Sequence, residues 1–350
     1  MIDLKYAVGI DISKSDFKVC ISVINEIQKI TVKASSSFKN TEIGFGEFEL
    51  WYKKHYKTTS VPIYFLMEAT GVYYENLAWF LYQKKLNVHV VLANKAKKYM
   101  QSLGLKSKND SIDAQGLSRM CAEQSLSLWK PLNKEIYVLR SLTRYHEDLQ
   151  LQKTALGNQI HALKFSMFET DLVNNNANEL LEVIENQIKN ITKEVEKCIN
   201  NNVLLASKYT FCKSIKGIGI MSFAVIVAET NGFLLFKNIR QLVSYSGLDV
   251  VENQSGSRNG KTRISKKGNS HIRRILYMPS LVAIQHNEQL KTFYERIVDK
   301  TNIKMKGVIA VQRKLLCLIY TLWTKEEEYD EKKYKIDKSL EKREGSSLLS

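Results

Sequence analysis

The first third of the chain alternates short apolar runs with longer amphipathic segments. The runs are rich in β-branched residues and predict five strands, at residues 6–12, 17–23, 28–33, 61–68 and 87–92. The run at 61–68 is nearly continuous in apolar residues, which is typical of a central buried strand. Helical spacing separates the later strands and predicts helices at 71–84 and 94–103. This alternation of strands and helices favours an α/β layer architecture.

Beyond Pro131 the pattern changes to long helices with heptad spacing. One series places Leu142, Leu149, Leu156 and Leu163 at intervals of seven, and a second runs from Leu181 to Cys198 in steps of three and four. Such seams predict an antiparallel coiled-coil hairpin or an oligomerising arm, with a turn at 171–177. The pattern leaves open whether the coil forms within one chain or between chains.

Composition narrows the class of protein. The chain has 350 residues, of which 44% are hydrophobic and 25% charged, so a buried core and two or more domains are expected. No uncharged apolar run approaches the roughly 20 residues of a membrane span. The five cysteines are scattered without a Cys-x-x-Cys pair, which predicts reduced thiols. We therefore expect a cytoplasmic protein with no membrane partner.

The excess of basic residues points to a nucleic acid partner. The formal net charge is +16, and an excess of Lys and Arg attracts a polyanion through counterion release. The basic residues concentrate in two stretches without acidic residues. The candidate nucleic-acid contacts are Lys95, Lys97, Lys98, Lys106 and Lys108 in the first stretch, and Arg258, Lys261, Arg263, Lys266, Lys267, Arg273 and Arg274 in the second. DNA is the expected partner.

A Gly-Ile-Gly segment lies between two helical stretches of 211–229. Gly217 and Gly219 at this position resemble a helix-hairpin-helix, whose turn offers backbone amides to a DNA phosphate. The alternative is a tight turn between helices with no ligand, and two glycines do not decide between them.

Four acidic residues of the first part are candidates for metal-dependent phosphodiester chemistry. Asp11 and Glu68 end predicted strands, while Asp110 and Asp113 lie three apart, on one face of a helix. Hard cations such as Mg²⁺ prefer oxygen ligands, and two-ion sites need several carboxylates together. A structural alternative exists for the pair, because an acidic residue at a helix N-cap and another at N3 commonly begin a helix. Asp11 could also be a turn residue, and Glu68 an exposed charge at a strand end.

Several motifs resemble a known family in order and spacing. These are GIDISK at 9–14, MEATGVY at 67–73, NDSIDA at 109–114, the Gly-Ile-Gly segment and YSGLDVVENQSGSRNGKTRISKKGNSHIRRIL at 245–276. Together they resemble the DEDD transposases of bacterial insertion sequences, whose N-terminal domain is similar to RuvC-type junction resolvases. One departure is Asp249, which follows Gly247 and Leu248 where the family commonly has proline.

The resemblance implies a fold, a site and partners. It implies a ribonuclease-H-like, RuvC-like α/β domain, then a helical arm and a mostly α-helical transposase domain. It further implies that Asp11, Glu68, Asp110 and Asp113 bind Mg²⁺, with two ions expected per site, and that Ser255 is a nucleophile that joins to DNA through a phosphoserine. A structured guide RNA encoded by the element and a tetrameric assembly are also implied. We expect boundaries at 1–130 for the nuclease domain, 131–207 for the arm, 208–323 for the DNA-handling domain and 324–350 for a charged tail, frayed or disordered.

Three other functions remain open from the residues. A structure-selective nuclease of the resolvase type would hydrolyse DNA without using Ser255. An actin-like sugar kinase is suggested by GIDIS, which can also be a phosphate-binding turn, although a convincing second glycine-rich loop is missing. A protein that only binds RNA or DNA is expected if the four acidic residues fail to assemble.

Overall fold

The computed structural model describes residues 2–58, 60–104, 110–168, 170–252, 254–255, 258–260, 262–331 and 333. The chain divides into two units, Met1–Pro131 and Leu132–Ser350. No helix in the described part of the chain combines the length and the apolar character that a membrane span requires.

The first unit is built on a five-stranded mixed sheet. Its elements are β1 (Asp3–Ile12), β2 (Asp16–Asn25), β3 (Ile30–Lys39), α1 (Glu42–His55), β4 (Ile63–Glu68), α2 (Glu75–Gln83), β5 (Asn87–Val91), α3 (Ala93–Ser102) and α4 (Asp110–Glu123). The strand order is β3-β2-β1-β4-β5. β1, β2 and β3 pair antiparallel, whereas β4 and β5 continue the sheet in parallel with β1. The predicted α/β architecture of this part is confirmed.

Both faces of the sheet are covered. On one face, the fully buried rings of Phe17, Phe48 and Phe65 pack edge to face at centroid distances of 5.5 and 6.1 Å. A second cluster, which includes Leu66 and Leu117, packs α4 against the sheet. Burial on two faces explains why β1 and β4 have nearly continuous apolar sequences.

The second unit is mostly helical. Its elements are α5 (Lys134–Leu163), α6 (Asp171–Asn200), α7 (Val203–Lys213), α8 (Ile220–Thr230), α9 (Ile239–Ser246), β6 (Val250–Val251), β7 (Gln254–Ser255), β8 (Arg258–Asn259), β9 (Arg263–Ile264), α10 (Ser270–Ile275), α11 (Tyr277–His286), α12 (Glu288–Thr301) and α13 (Lys304–Lys325). The strands form two short ladders, β6 with β9 and β7 with β8. α8 is buried along almost its whole length and forms the centre of the core.

The two long helices α5 and α6 run antiparallel. The Tyr145 hydroxyl donates to Gln187 at 3.1 Å, and Lys153 pairs with Glu185 at 2.8 Å. The predicted turn at 171–177 is wrong, because α6 already begins at Asp171. Each asparagine in this segment lowers helix propensity by less than about 1 kcal/mol, so the apolar stripe that follows them prevails. The N-terminal part of α5, with Leu139, and the C-terminal part of α6, with Val195, pack into the same hydrophobic core as the rest of the unit.

The chain remains packed beyond the last helix. The Tyr329 amide donates to Ser214 Oγ at 2.7 Å, and its hydroxyl accepts a hydrogen bond from Asn287 at 3.0 Å. The expected frayed or disordered tail from 324 is therefore wrong for 324–331, where contacts with α11 and α12 and the turn after α7 hold the chain. Residues 334–350 lie outside the described residues.

Candidate functional site

Asp11 and Glu68 stand at the ends of two adjacent parallel strands. The last registered pair between β1 and β4 is Ile10 with Met67. Asp11 and Glu68 are the next residue on each strand, so they occupy equivalent positions at the carboxyl edge of the sheet. Paired residues in a sheet project to the same face, and both side chains are partly buried there.

Gly9 brings α4 onto this face. It lies two residues before Asp11, so both share one face of β1. A Cβ at Gly9 would lie 2.1 Å from the backbone nitrogen of Ser118 and 2.2 Å from the carbonyl oxygen of Ala114. Only glycine permits this approach, because backbone atoms of α4 cannot rotate away as a flexible side chain would. Ala114 directly follows Asp113, and the contact therefore holds the acidic first turn of α4 beside the strand ends.

The four predicted acidic residues influence one another electrostatically. The pKa of Asp11 is raised from its ordinary value of 3.8 to about 6, chiefly by burial and then by the charges of Asp113, Asp110 and Glu68, in that order of effect. The ammonium of Lys18 opposes the rise. The structure therefore brings the four carboxylates together in one corner of the first unit.

Lys18 contributes a positive charge to this corner, and its local sequence gives no sign of that role. It is the β2 partner of Asp11 in the sheet, and its Nζ lies 2.7 Å from Asp110 Oδ2. The hydrogen bond to Asp110 raises the pKa of Lys18. Glu68 accepts a hydrogen bond from Thr70 at 3.0 Å. Among the described residues, no group of three His, Cys, Asp or Glu side chains is arranged to hold a metal ion. The acidic residues are thus gathered, but their oxygens do not yet converge on one point.

Ser255 belongs to the second unit and is exposed on a short hairpin. It lies in β7 and pairs with Arg258 of β8. In the sequence, β6 precedes this hairpin and β9 follows it, and the two strands pair with each other. Beside this ladder, Ser265 Oγ donates a hydrogen bond to Asp249 Oδ1 at 2.5 Å and so links the two ends of the segment. The aspartate that departs from the family pattern therefore has a structural role at the base of the hairpin.

The predicted basic contacts fall into three groups. Lys95, Lys97 and Lys98 are exposed on α3, and Arg263, Lys266 and Lys267 are exposed on and after β9. The predictions at Lys106, Lys108 and Lys261, and at the side chain of Arg258, lie outside the described residues. Arg273 and Arg274 instead make intramolecular contacts. Arg273 donates to the carbonyls of Ser246 and Asn269 at 2.7 and 3.1 Å, and Arg274 pairs with Glu147.

Gly217 and Gly219 lie in the turn between α7 and α8. Gly217 has a φ of 96°, and a Cβ there would lie 2.9 Å from the Pro279 carbonyl oxygen. Packing and backbone conformation thus both require this glycine. Gly219 precedes α8 and is exposed, and a Cβ added there would meet no other atom within 4 Å. A role for these amides in binding phosphate stays a prediction.

A buried ionic network in the second unit was also missed. The side chain of Glu229, at the end of α8, is only 2% exposed and accepts two hydrogen bonds from Arg144 of α5, at 2.7 and 3.0 Å. Asn269 donates to the same carboxylate at 2.6 Å. Burial alone would raise the pKa of Glu229, but these partners outweigh it and hold that pKa low. A glutamate near the end of a mostly apolar helix was the available signal, since a buried charge requires a partner.

Comparison with known proteins identifies the family. The DEDD transposase model of IS110 elements, described as "Transposase", matches residues 8–168, and the model "Transposase IS116/IS110/IS902 family" matches residues 209–295. The pilin gene-inverting protein of Moraxella bovis is 27% identical over 94% of this chain and 98% of its own length. The transposase for insertion sequence element IS1111A of Coxiella burnetii is 24% identical over 64% of this chain and 68% of its own length. RuvC of Thermus thermophilus is a structural match at 10% identity, with a TM-score of 0.26, over 33% of this chain and 91% of RuvC. The two models match successive parts of the chain and together cover about seven-tenths of it: it belongs to the IS110 family of transposases.

Proposed function

We propose that this transposase cuts and rejoins DNA through metal-dependent chemistry at the acidic corner of its first unit. The observation that carries the proposal is the meeting of Asp11, Glu68 and the first turn of α4, held by the contact at Gly9. Relatives whose names record gene inversion and transposition rearrange DNA, and the same class of reaction fits this chain.

The chemistry of these residues suits a divalent cation, although among the described residues no three of them are arranged to hold one. Four carboxylates meet in one corner, Asp11 is partly desolvated, and the repulsion among them is only partly offset by Lys18. Mg²⁺ is the proposed ion, because it is hard and prefers oxygen ligands, and two ions would suit the four carboxylates. A bound cation of this kind stabilises charge on the phosphate and generates a nucleophilic oxygen. In this chain, Asp11 and Glu68 would hold the ion from the sheet, and Asp110 and Asp113 from α4. Asp110 must leave Lys18 for this, so the binding of the cation competes with that ion pair.

Ser255 is proposed as the nucleophile that links protein to DNA. Its hydroxyl is exposed at a hairpin within a stretch that carries basic side chains and no acidic ones from 253 to 287. In the proposed step, Ser255 Oγ loses its proton and bonds to phosphorus, and the bond from phosphorus to a deoxyribose oxygen breaks. A hydroxyl of the new strand later displaces Ser255, which restores the serine and rejoins the DNA. An unassisted serine is a weak nucleophile, so the step requires a base, a metal or a nearby cation.

Three further elements of the proposal rest on the family resemblance. We interpret the strand order β3-β2-β1-β4-β5 as a ribonuclease-H-like, RuvC-like sheet. A guide RNA encoded by the element would select the DNA, and a tetramer would bring two DNA cuts together. The antiparallel pair α5 and α6 offers a surface for assembly, with exposed apolar side chains near its tip such as Leu172 and Val173.

A recombination assay with the element's flanking DNA, its adjacent transcript and Mg²⁺ tests the proposal. Asp11→Ala and Ser255→Ala should each abolish recombination. Two matched controls, Asp3→Asn at the far end of β1 and Ser244→Ala on the exposed face of α9, should retain it. Recombination by either site variant at the wild-type level would contradict the role given to that residue.

The second candidate is hydrolysis of branched DNA without a covalent intermediate. It is favoured by one observation, that all four carboxylates lie in the first unit. In that case Ser255→Ala would cleave DNA normally in Mg²⁺, whereas Asp11→Ala would not.

A further inference from the structure

A groove with an apolar floor and a basic rim lies in the second unit, between the β6–β9 ladder and α13. Its volume is about 630 Å³, within the range of roughly 300–1,000 Å³ that is typical of small-molecule sites. Leu248, Ile264 and Ile309 contribute the apolar surface. All of the residues that line it are described, and none of them is acidic.

The cations of the rim come from both walls. Arg263, Lys266 and Lys267 stand on the ladder side, and Lys306 and Arg313 stand on one face of α13, seven residues from each other. Positions seven apart are two turns apart on one helix face, about 10 Å along the axis. That spacing places two positive charges along the groove, on long side chains that can reach the phosphates on either side of one nucleotide.

The apolar floor and the basic rim together favour a ligand that has both an apolar surface and negative charges. A floor of aliphatic side chains contributes nothing to the affinity for a bare phosphate. It contributes to affinity only when it covers an apolar surface of the ligand. A row of cations contributes little to the affinity for an apolar molecule, but it increases the affinity for a polyanion. An unpaired nucleotide presents both features, a flat base beside charged phosphates. A duplex presents only its phosphates to such a groove, because its bases are stacked and paired.

We propose that this groove binds an unpaired nucleotide of single-stranded DNA, with the base against Ile264 and Ile309 and the flanking phosphates on Lys306 and Arg313. The ladder that forms one wall also encloses the hairpin of Ser255 in the sequence, so a strand held here is held at the base of that hairpin. The choice of DNA rests on the proposed function, whereas the recognition of base and phosphate rests on the groove alone.

Binding of a fluorescent twelve-residue oligothymidylate to the full-length protein in EDTA tests the phosphate contacts. Lys306→Gln should weaken binding and reduce the dependence of log affinity on log salt by about 0.7, the contribution of one phosphate contact on a single strand. The matched control is Lys304→Gln, which removes the same charge from an exposed position on the same helix outside the groove. It should leave the salt dependence unchanged.

The base contact needs a second pair of variants. Ile309→Ser should weaken binding of the oligothymidylate by about tenfold, the scale expected when one aliphatic side chain no longer covers a base. It should not affect a twelve-residue abasic strand. The exposed Ile303, which precedes α13, supplies the control Ile303→Ser. If Ile309→Ser fails to fold, Ala310→Phe replaces it in the test. This variant fills the groove without removing an apolar contact from the core, and it should weaken binding of the oligothymidylate in the same way.

Three results would overturn the proposal. The groove binds no base if the abasic strand binds as tightly as the oligothymidylate, or if Ile309→Ser and Ala310→Phe both bind as the wild type does. The assignment to DNA is wrong if an oligouridylate binds more tightly than the oligothymidylate with the same loss in Ile309→Ser. Because no strand is cut in EDTA, these results do not depend on whether Asp11 or Ser255 carries the chemistry.

Discussion

Replacing Asp11 with asparagine should stabilise the first unit in the absence of metal. The carboxylate of Asp11 is partly buried and faces three other carboxylates, with Lys18 as the opposing charge. Asparagine has nearly the same shape without the charge. The substitution therefore removes repulsion and desolvation while it preserves the packing against α4.

The size of the effect follows from the pKa of Asp11. In the folded protein it is about 6, against an ordinary value of 3.8. A folded-state pKa above the unfolded value means that ionisation of Asp11 opposes folding, and each pKa unit corresponds to about 1.4 kcal/mol. The penalty is therefore at most roughly 3 kcal/mol near pH 7. It falls to roughly 1.5 kcal/mol at pH 5 and almost vanishes below about pH 3, where Asp11 is protonated in both states.

Chemical denaturation in EDTA measures this difference. Three of the four tryptophans, Trp51, Trp79 and Trp129, lie in the first unit, so their fluorescence reports chiefly its unfolding. Asp11→Asn should raise the free energy of unfolding by about 1–3 kcal/mol at pH 7, and the gain should shrink as the pH falls towards 5.

Asp3→Asn is the matched control, because Asp3 lies at the other end of the same strand. It should show no comparable gain. If Asp11→Asn is less stable than the wild type at pH 7, or if its gain does not depend on pH, ionisation of Asp11 does not oppose folding as the structure implies.

Three further predictions follow from particular contacts. Gly9→Ala should destabilise the first unit by about 1–3 kcal/mol and abolish DNA cleavage, because its Cβ would force α4 off β1; normal stability in a denaturation experiment would contradict this. Lys18→Gln should tighten the binding of Mn²⁺ in calorimetric titration, since the ion then no longer competes with the Lys18 ammonium for Asp110; weaker binding would show that Lys18 supports the site instead of competing for it. Arg144→Met should cost the second unit about 3–5 kcal/mol, because it leaves the Glu229 carboxylate buried without its cation. The double variant with Glu229→Gln should recover part of that loss in the same measurement, and an equal loss in both would contradict a charge effect.

The sequence predicted the elements whose local pattern matches their final environment. The buried strands β1, β4 and β5 were predicted because burial on both faces requires continuous apolar runs. β3 was predicted only to residue 33 but extends to Lys39, because its polar second half, ASSSFK, is held by pairing with β2. Pairing with the neighbouring strand decides such a strand, and local hydropathy does not reveal it.

The candidate site was predictable to a similar degree. Asp11 and Glu68 could be placed together because parallel strands end at one edge, and α4 could be placed there from the spacing of its acidic residues. Lys18 could not, because its meeting with Asp110 depends on the antiparallel pairing of β1 and β2. The two-residue strands around Ser255 carry no local pattern, and contacts such as that of Ser265 with Asp249 fix them instead.

The central claim is that Ser255 becomes linked to DNA in a reaction that needs the acidic corner. The most direct measurement is mass spectrometry of the tryptic peptide 241–258 after reaction with element DNA and Mg²⁺. We predict a nucleotide adduct on Ser255 in the wild-type protein and none in Asp11→Ala. An adduct on another residue, or recombination by Ser255→Ala without any adduct, would contradict the account.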